Sequence, residues 1–284
     1  MQFALMVEGQ EGITYRRMLE LARAAEAAGF DAFVRSDHWL SLEGAWDRPA
    51  TDAWTTLAGL ARETGRIRLG TLVSPITFRL PVAIAKIVAT VDEMSDGRVE
   101  LGLGAGWYDP EHERLGIPYP ARAERFARLE EQLQIIRGLW TRPELTFEGR
   151  FYRLRQAVCE PRPLQRPHPP IVVGGYGRAG IVCLAATYAY ELNLDTPTPD
   201  ACQRVFGALD EACRAAGRDP EELRRSAMLL WTPELAGAAP AAQREHLARY
   251  AAAGVQRIVL NVDPERTGAG AVERLGSEVV APLR

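Results

Sequence analysis

A chain of 284 residues that is 47% hydrophobic and 25% charged has the composition of a soluble globular protein with material for a sizeable core. Its formal net charge of −3 gives no electrostatic reason to expect nucleic acid or an acidic membrane as partner. No apolar stretch approaches the roughly 20 residues that span a bilayer, and Cys159, Cys183, Cys202 and Cys213 show neither CxxC nor Cys/His spacing, so reduced thiols in a cytoplasmic protein without a metal site are expected.

Taken in order, the chain alternates strands and helices. "FALMV" (3–7) is a short apolar strand, and the helix after it carries Met18, Ala22 and Ala25 on one face and stops at Gly29. "DAFVRS" is a second strand, followed by "TDAWTTLAGLARET", a helix with Thr51 or Asp52 as N-cap. "IRLGTLVS" is a third strand and "PVAIAKIVATVDEMS" a helix with proline in its first turn. "RVELGLGAG" is a fourth strand, before a helix over 124–140 with Phe126, Leu129, Leu133 and Ile136 on one face. "LTFEGRFYRL" alternates about Glu148-Gly149 and predicts an inserted hairpin. Strands at "PPIVVGG", "AYELNL", "SAMLLWTP" and "VQRIVLNV" follow, each with its helix. Eight such units without a long linker predict one (β/α)₈ TIM barrel over 1–284, with a doubly wound open sheet as the other arrangement this pattern allows.

In a barrel the chemistry sits at the carboxyl ends of the strands. The second strand ends in "RSDHW", where Asp37 could orient a ring and His38 could move a proton near neutral pH; a capping Asp and a rim His are the structural alternative. The third ends near Ser74-Pro75, an extended stop or an ordinary turn. The fourth ends in "GLGAGWYDPEH": Gly102, Gly104 and Gly106 share one face, suited either to a flat ligand walled by Trp107 and Tyr108 or to close packing. Asp109, Glu111 and His112 read as the start of the next helix, and no HExxH-like spacing joins them to Asp37 and His38 as metal ligands. The fifth ends in "GGYGRAG", where Gly174 and Gly175 would bring backbone amides to an anion at a helix N-terminus beside Arg178.

The strings "RSDHW", "TDAWTTLAGLARETGRIRLGT", "AKIVATVDEMSDGRVELGLGAGWYDPEHERLGIP", "ERFARLEEQLQIIRGLW" and "FEGRFYRL" resemble the luciferase-like monooxygenase superfamily, and within it the oxidoreductases that use the deazaflavin coenzyme F420. The resemblance is dense from residue 2 to about 175. It implies a TIM barrel with a lid-like hairpin insertion and a flavin or deazaflavin in its mouth. It also implies a catalytic pair at Asp37 and His38, with Ser36 adjoining, and a non-prolyl cis peptide near Leu72-Val73 with Ser74 close to the ring. Further cofactor contacts are implied at Gly104, Ala105, Gly106 and Trp107, and a phosphate turn at Gly174, Gly175, Tyr176 and Gly177.

Two departures from the family pattern stand out. Tyr176 interrupts a run of four glycines, with Arg178 after it, and "YELN" replaces Asp-Glu-Trp-Asn, with Tyr190 and Leu192 in the changed places. If both lie at the mouth, they alter or erode the cofactor site. The reading is an F420-dependent oxidoreductase moving hydride to or from a small organic substrate. The alternatives are an FMN-dependent monooxygenase and a non-catalytic ligand-binding member; a homodimer is common in such a family.

Overall fold

The computed structural model describes residues 1–284. Its strands and helices are β1 (Gln2–Val7), α1 (Tyr15–Ala27), β2 (Ala32–Arg35), α2 (Ala53–Glu63), β3 (Arg68–Thr71), β4 (Ser74–Pro75), α3 (Pro81–Met94), β5 (Val99–Gly104), α4 (Asp109–Leu115) and α5 (Arg122–Thr141). After the hairpin β6 (Leu145–Glu148) and β7 (Arg153–Ala157) come β8 (Ile171–Gly175), α6 (Ala179–Tyr188), β9 (Glu191–Asp195), α7 (Pro199–Ala215), β10 (Arg224–Trp231), α8 (Pro233–Gly237), α9 (Pro240–Ala252), β11 (Arg257–Val262) and α10 (Ala269–Leu275). The sheet runs β3-β2-β1-β11-β10-β9-β8-β5-β4, all parallel, and closes where Leu69 and Gly70 of β3 pair with Val99 and Glu100 of β5. This is a closed eight-strand barrel, β4 continuing the third strand.

The period-2 alternation of a strand decides what each residue faces. Phe3, Leu5, Val7 and Phe33 point out into the layer shared with the helices, whereas Ala4, Met6, Ala32, Val34, Leu72, Val172 and Val259 fill the barrel. The helices form where their apolar faces meet this outer layer: Met18, Ala22 and Ala25 of α1 are fully buried, and Asp52 caps α2 by accepting from Thr55 N.

The amino-terminal end of the barrel is closed by charge. Arg257 bridges Glu100 (2.6 Å) and Glu191 (3.0 Å), Arg68 pairs with Glu100 (2.7 Å), and Arg224 spans both carboxylates. Glu100, Glu191 and Arg257 are buried, so each depends on the others for compensation.

The inserted hairpin forms, and its turn lies against α5, where Glu131 accepts from the amides of Arg150, Phe151 and Tyr152. One expectation is corrected at this level. The Tyr190 and Leu192 departures are not at the mouth. Tyr190 precedes β9 at the amino-terminal end, its ring 4.9 Å from the Arg224 guanidinium, and Leu192 is buried in the outer layer facing the helices. The parallel direction of β9 sends its first residues to the end away from the mouth, so half of the case for an eroded site falls away.

Candidate functional site

A cleft of about 300 Å³ opens at the carboxyl ends of the strands. Ser36, His38, Leu72, Val73, Gly104, Ala105, Gly106, Trp107, Gly174, Gly175 and Tyr176 all line it. Asp37, Ser74 and Gly177 do not.

The peptide between Leu72 and Val73 is cis, and it separates β3 from β4. Glycine spacing around it has a packing cause. A Cβ on Gly104 would stand 2.6 Å from Val73 Cγ2, one on Gly174 2.7 Å from Val73 Cγ1, and one on Gly102 2.0 Å from the Thr71 carbonyl oxygen. Gly102 therefore serves close packing alone, while Gly104 and Gly174 both admit Val73 and leave the cleft wall flat. Gly104→Ala is expected to lower the unfolding free energy by about 1–3 kcal/mol through overpacking, with Val73→Ala in the same chain restoring most of it. Urea melts of the single and double variants decide; a Gly104→Ala chain as stable as the parent refutes this packing account.

Asp37 braces this platform from behind. Fully buried, it accepts from Ser74 Oγ (2.6 Å) and from Arg79 (2.5 Å), while Ser74 Oγ also accepts from Trp54 Nε1 (3.0 Å). Arg79 continues to Asp52, the cap of α2. The Asp-His pair of "RSDHW" thus divides: adjacent strand-end residues point to opposite sides, so Asp37 holds the segment after the cis peptide and His38 faces the cleft. Arg35, two residues earlier, is also buried, and desolvation brings its guanidinium down to about 10 despite nearby Asp37 and Asp52.

The partner of His38 is Glu111, from α4. Its Oε2 accepts from His38 Nδ1 at 2.9 Å, and its Oε1 accepts from the amides of Trp39 and Leu40. A carboxylate has no proton to offer, so Nδ1 carries the hydrogen and Nε2 is left free at the cleft. Glu111 is fully buried and the His38 side chain is 11% exposed, which keeps water from competing for the pair. Trp107 and Tyr108 meet the imidazole edge-on at 5.8 and 6.1 Å. The helix-start reading of Glu111 holds, since α4 begins at Asp109, but its carboxylate turns inward to the histidine. Beside it, His112 donates from Nδ1 to the Tyr108 carbonyl (2.8 Å) and so accepts from Thr77 Oγ1 at Nε2 (2.6 Å).

The floor is polar. Ser36 donates to Gln10, Gln10 donates to Glu8, and Glu8 also accepts from Asn261. Asn193 donates to Ser226 Oγ (2.8 Å), which donates to Glu191 of the ionic network, so one hydrogen-bonded chain runs from the cleft to the barrel's other end. At the glycine turn, Gly177 has φ +67°, a conformation L side chains rarely adopt, and a Cβ there would also meet Val205. Tyr176 is over half exposed; burial first and the nearby Asp195 second push its phenol above its ordinary value, while burial raises the Asp195 carboxyl. The rim carries Arg122 and Arg125 of α5 and Arg178 at the start of α6.

Sequence reading singled out neither the Glu111 carboxylate as a partner, nor Glu8, Asn193, Asp195, Arg122 and Arg125 as cleft residues. Glu8 and Asp195 carried one usable signal, their position at strand ends. For Glu111 and His38, 73 residues apart, no local spacing exists to find.

A model of the luciferase-like monooxygenase family matches residues 1–274. The chain belongs to this family. Among similar luciferase-like proteins are an F420-dependent glucose-6-phosphate dehydrogenase of Amycolatopsis mediterranei, 35% identical over 74% of this chain, and an FMNH2-dependent dimethylsulfone monooxygenase of Pseudomonas putida, 32% identical over 59%. The aligned regions span 63% and 45% of those two proteins. An F420-dependent secondary alcohol dehydrogenase, solved with an F420-acetone adduct, superposes with a TM-score of 0.86 at 18% identity, covering 100% of this chain and 99% of its own. That likeness shows the barrel fold. No helix is long and apolar enough to cross a membrane.

Proposed function

We propose that this luciferase-like chain is an oxidoreductase that holds deazaflavin F420 in the cleft and transfers hydride to or from a small organic substrate. The observation that carries the reading is the His38–Glu111 pair, facing a flat wall built of Leu72, Val73, Gly104 and Gly174. The residues present fit a tricyclic ring with a phosphorylated tail. Val73 packs where a Cβ on Gly104 or Gly174 would stand, so the three form one low wall, the polar floor of Ser36, Glu8 and Asn193 offers partners for heterocycle edges, and the turn before α6 presents backbone amides to an anion.

A 5-deazaflavin supplies two-electron hydride chemistry without ready activation of oxygen. His38 Nε2 is the atom placed to give or take the accompanying proton, with Glu111 fixing the tautomer and stabilising the imidazolium when it forms. Trp107 and Tyr108 shield that exchange from bulk water. The F420-dependent relative, similar over more of this chain than the FMNH2-dependent one, supports F420 as the first choice, and the latter keeps FMN as the second reading.

Fluorescence titration of the apo-chain with F420 and FMN tests the choice: F420 binds at micromolar or lower concentration, and FMN more weakly. Tight FMN binding with no F420 binding would sink the first reading, and substrate-dependent oxygen uptake with reduced FMN would establish the second.

A further inference from the structure

We propose that Glu8, Asn193 and Asp195 form a subsite for a protonated primary amine carried by the substrate. The inference rests on the reading that the cleft belongs to an oxidoreductase, and it names the chemical class of the molecule taken there.

The three residues lie on one arc of the barrel mouth, where the strands run in the order β1-β11-β10-β9. Glu8 follows β1, Asn193 and Asp195 are two apart on β9 and so turn to the same side, and all three line the cleft. Neither carboxylate belongs to an ion pair. Burial first, with the Glu8 charge adding to it, raises the Asp195 carboxyl, so the two acids repel each other with no cation between them.

Asn193 is an independent sign that a donor belongs here. It is only 3% exposed, and its one hydrogen bond runs from Nδ2 to Ser226 Oγ. The Ser226 hydroxyl proton goes to Glu191, a carboxylate that itself accepts from Arg257 and Arg224. Ser226 Oγ is thereby left to accept from Asn193, which fixes the amide and leaves its oxygen, Oδ1, without a partner in the cleft. A buried acceptor with nothing to accept from destabilises the fold unless a ligand meets it. The neighbouring donors are turned onto the protein: Gln10 and Asn261 donate to Glu8, and Thr196 donates to Asp195.

An alkylammonium brings three N–H donors and one positive charge to this set of three acceptors. Tyr176, which breaks the glycine run, stands close enough for the Asp195 charge to act on its phenol, so an aromatic ring adjoins the same subsite. Leu42, Trp107 and Met228 line the cleft for the apolar remainder of such a molecule. An anionic group at this end would meet two like charges.

Titration with benzylamine, a cation at neutral pH, and with benzyl alcohol, its neutral match, decides; the Met228 methyl NMR signal reports binding in the cleft. The parent is expected to bind the amine about tenfold or more tightly than the alcohol, the gain typical of a charged hydrogen bond. Asp195→Asn removes that advantage and changes the alcohol by no more than about threefold. Glu8→Gln carries the same test should Asp195→Asn fail to fold. The amine affinity persists in the chain saturated with F420, as a substrate group requires; its loss there assigns the acids to the cofactor and overturns the proposal. Equal affinity for the two probes, an amine affinity unchanged by both variants, or no binding of the amine overturns it as well. A chain that binds the amine but not F420 removes the cofactor reading and keeps the subsite, so the two failures are distinguishable.

Discussion

Arg257→Met is expected to lower the unfolding free energy by about 3–5 kcal/mol at pH 7, the loss typical of removing one partner from a buried ion pair. The substitution takes their fully buried partner from Glu100 and Glu191, both buried inside the barrel, and leaves them only the less buried Arg68 and Arg224. Burial alone would raise the Glu100 carboxyl; the Arg257, Arg224 and Arg68 guanidiniums outweigh it and hold the group well below the usual carboxylate range. A carboxyl whose folded value is depressed contributes stability that is fully present above its unfolded value, about 4.3. That contribution is lost as pH falls from there toward the lower folded value. The deficit of Arg257→Met should therefore be largest near neutrality and shrink below about pH 4, where the parent loses the same contribution. Urea melts of both proteins between pH 3 and 7 measure it. A constant deficit across that range would show that lost packing, not charge, is responsible.

Glu111→Gln is expected to lower turnover by about 10²–10⁴-fold, the range ascribed to general acid–base catalysis and to a mis-set histidine tautomer. The glutamine oxygen still accepts from the Trp39 and Leu40 amides, which leaves its NH₂ facing His38 Nδ1. That nitrogen must then accept, the proton moves to Nε2, and the atom at the cleft becomes a donor. The tautomer is readable without any substrate, from the imidazole ¹⁵N shifts. The parent should carry the proton on Nδ1 and the variant on Nε2, with ring binding changed by no more than about threefold, since no new contact to the platform is made or lost. A parent already protonated only on Nε2 ends this account of the pair.

Much of the fold was legible because barrel strands and their helices announce themselves locally. The continuous apolar run "FALMV", buried throughout, and the i, i+4 spacing of Met18 and Ala22 need no tertiary information. Ser36, His38 and the glycines that end β5 and β8 were legible as cleft residues from their place at strand ends, and the Leu72-Val73 peptide from the family resemblance alone. What failed were statements about direction. Asp37 and His38 are neighbours that face opposite ways, and Tyr190 lies at the start of its strand, not the end. Ser74 and Gly177 follow their strands too, yet one side chain turns to Trp54 and Asp37 and the other position abuts Val205. Contacts between distant segments, Glu111 with His38 above all, exist only once the barrel has closed.

The Asn193–Ser226–Glu191 chain has a practical consequence for anyone reshaping this protein. Barrel enzymes are commonly treated as a rigid base and a variable face that can be engineered separately. Here a carboxamide at the variable face takes its orientation, through one hydroxyl, from an acid of the base. Thermostabilising changes around Glu191 should therefore couple non-additively with changes at the cleft, and a library that varies one end needs the other held fixed.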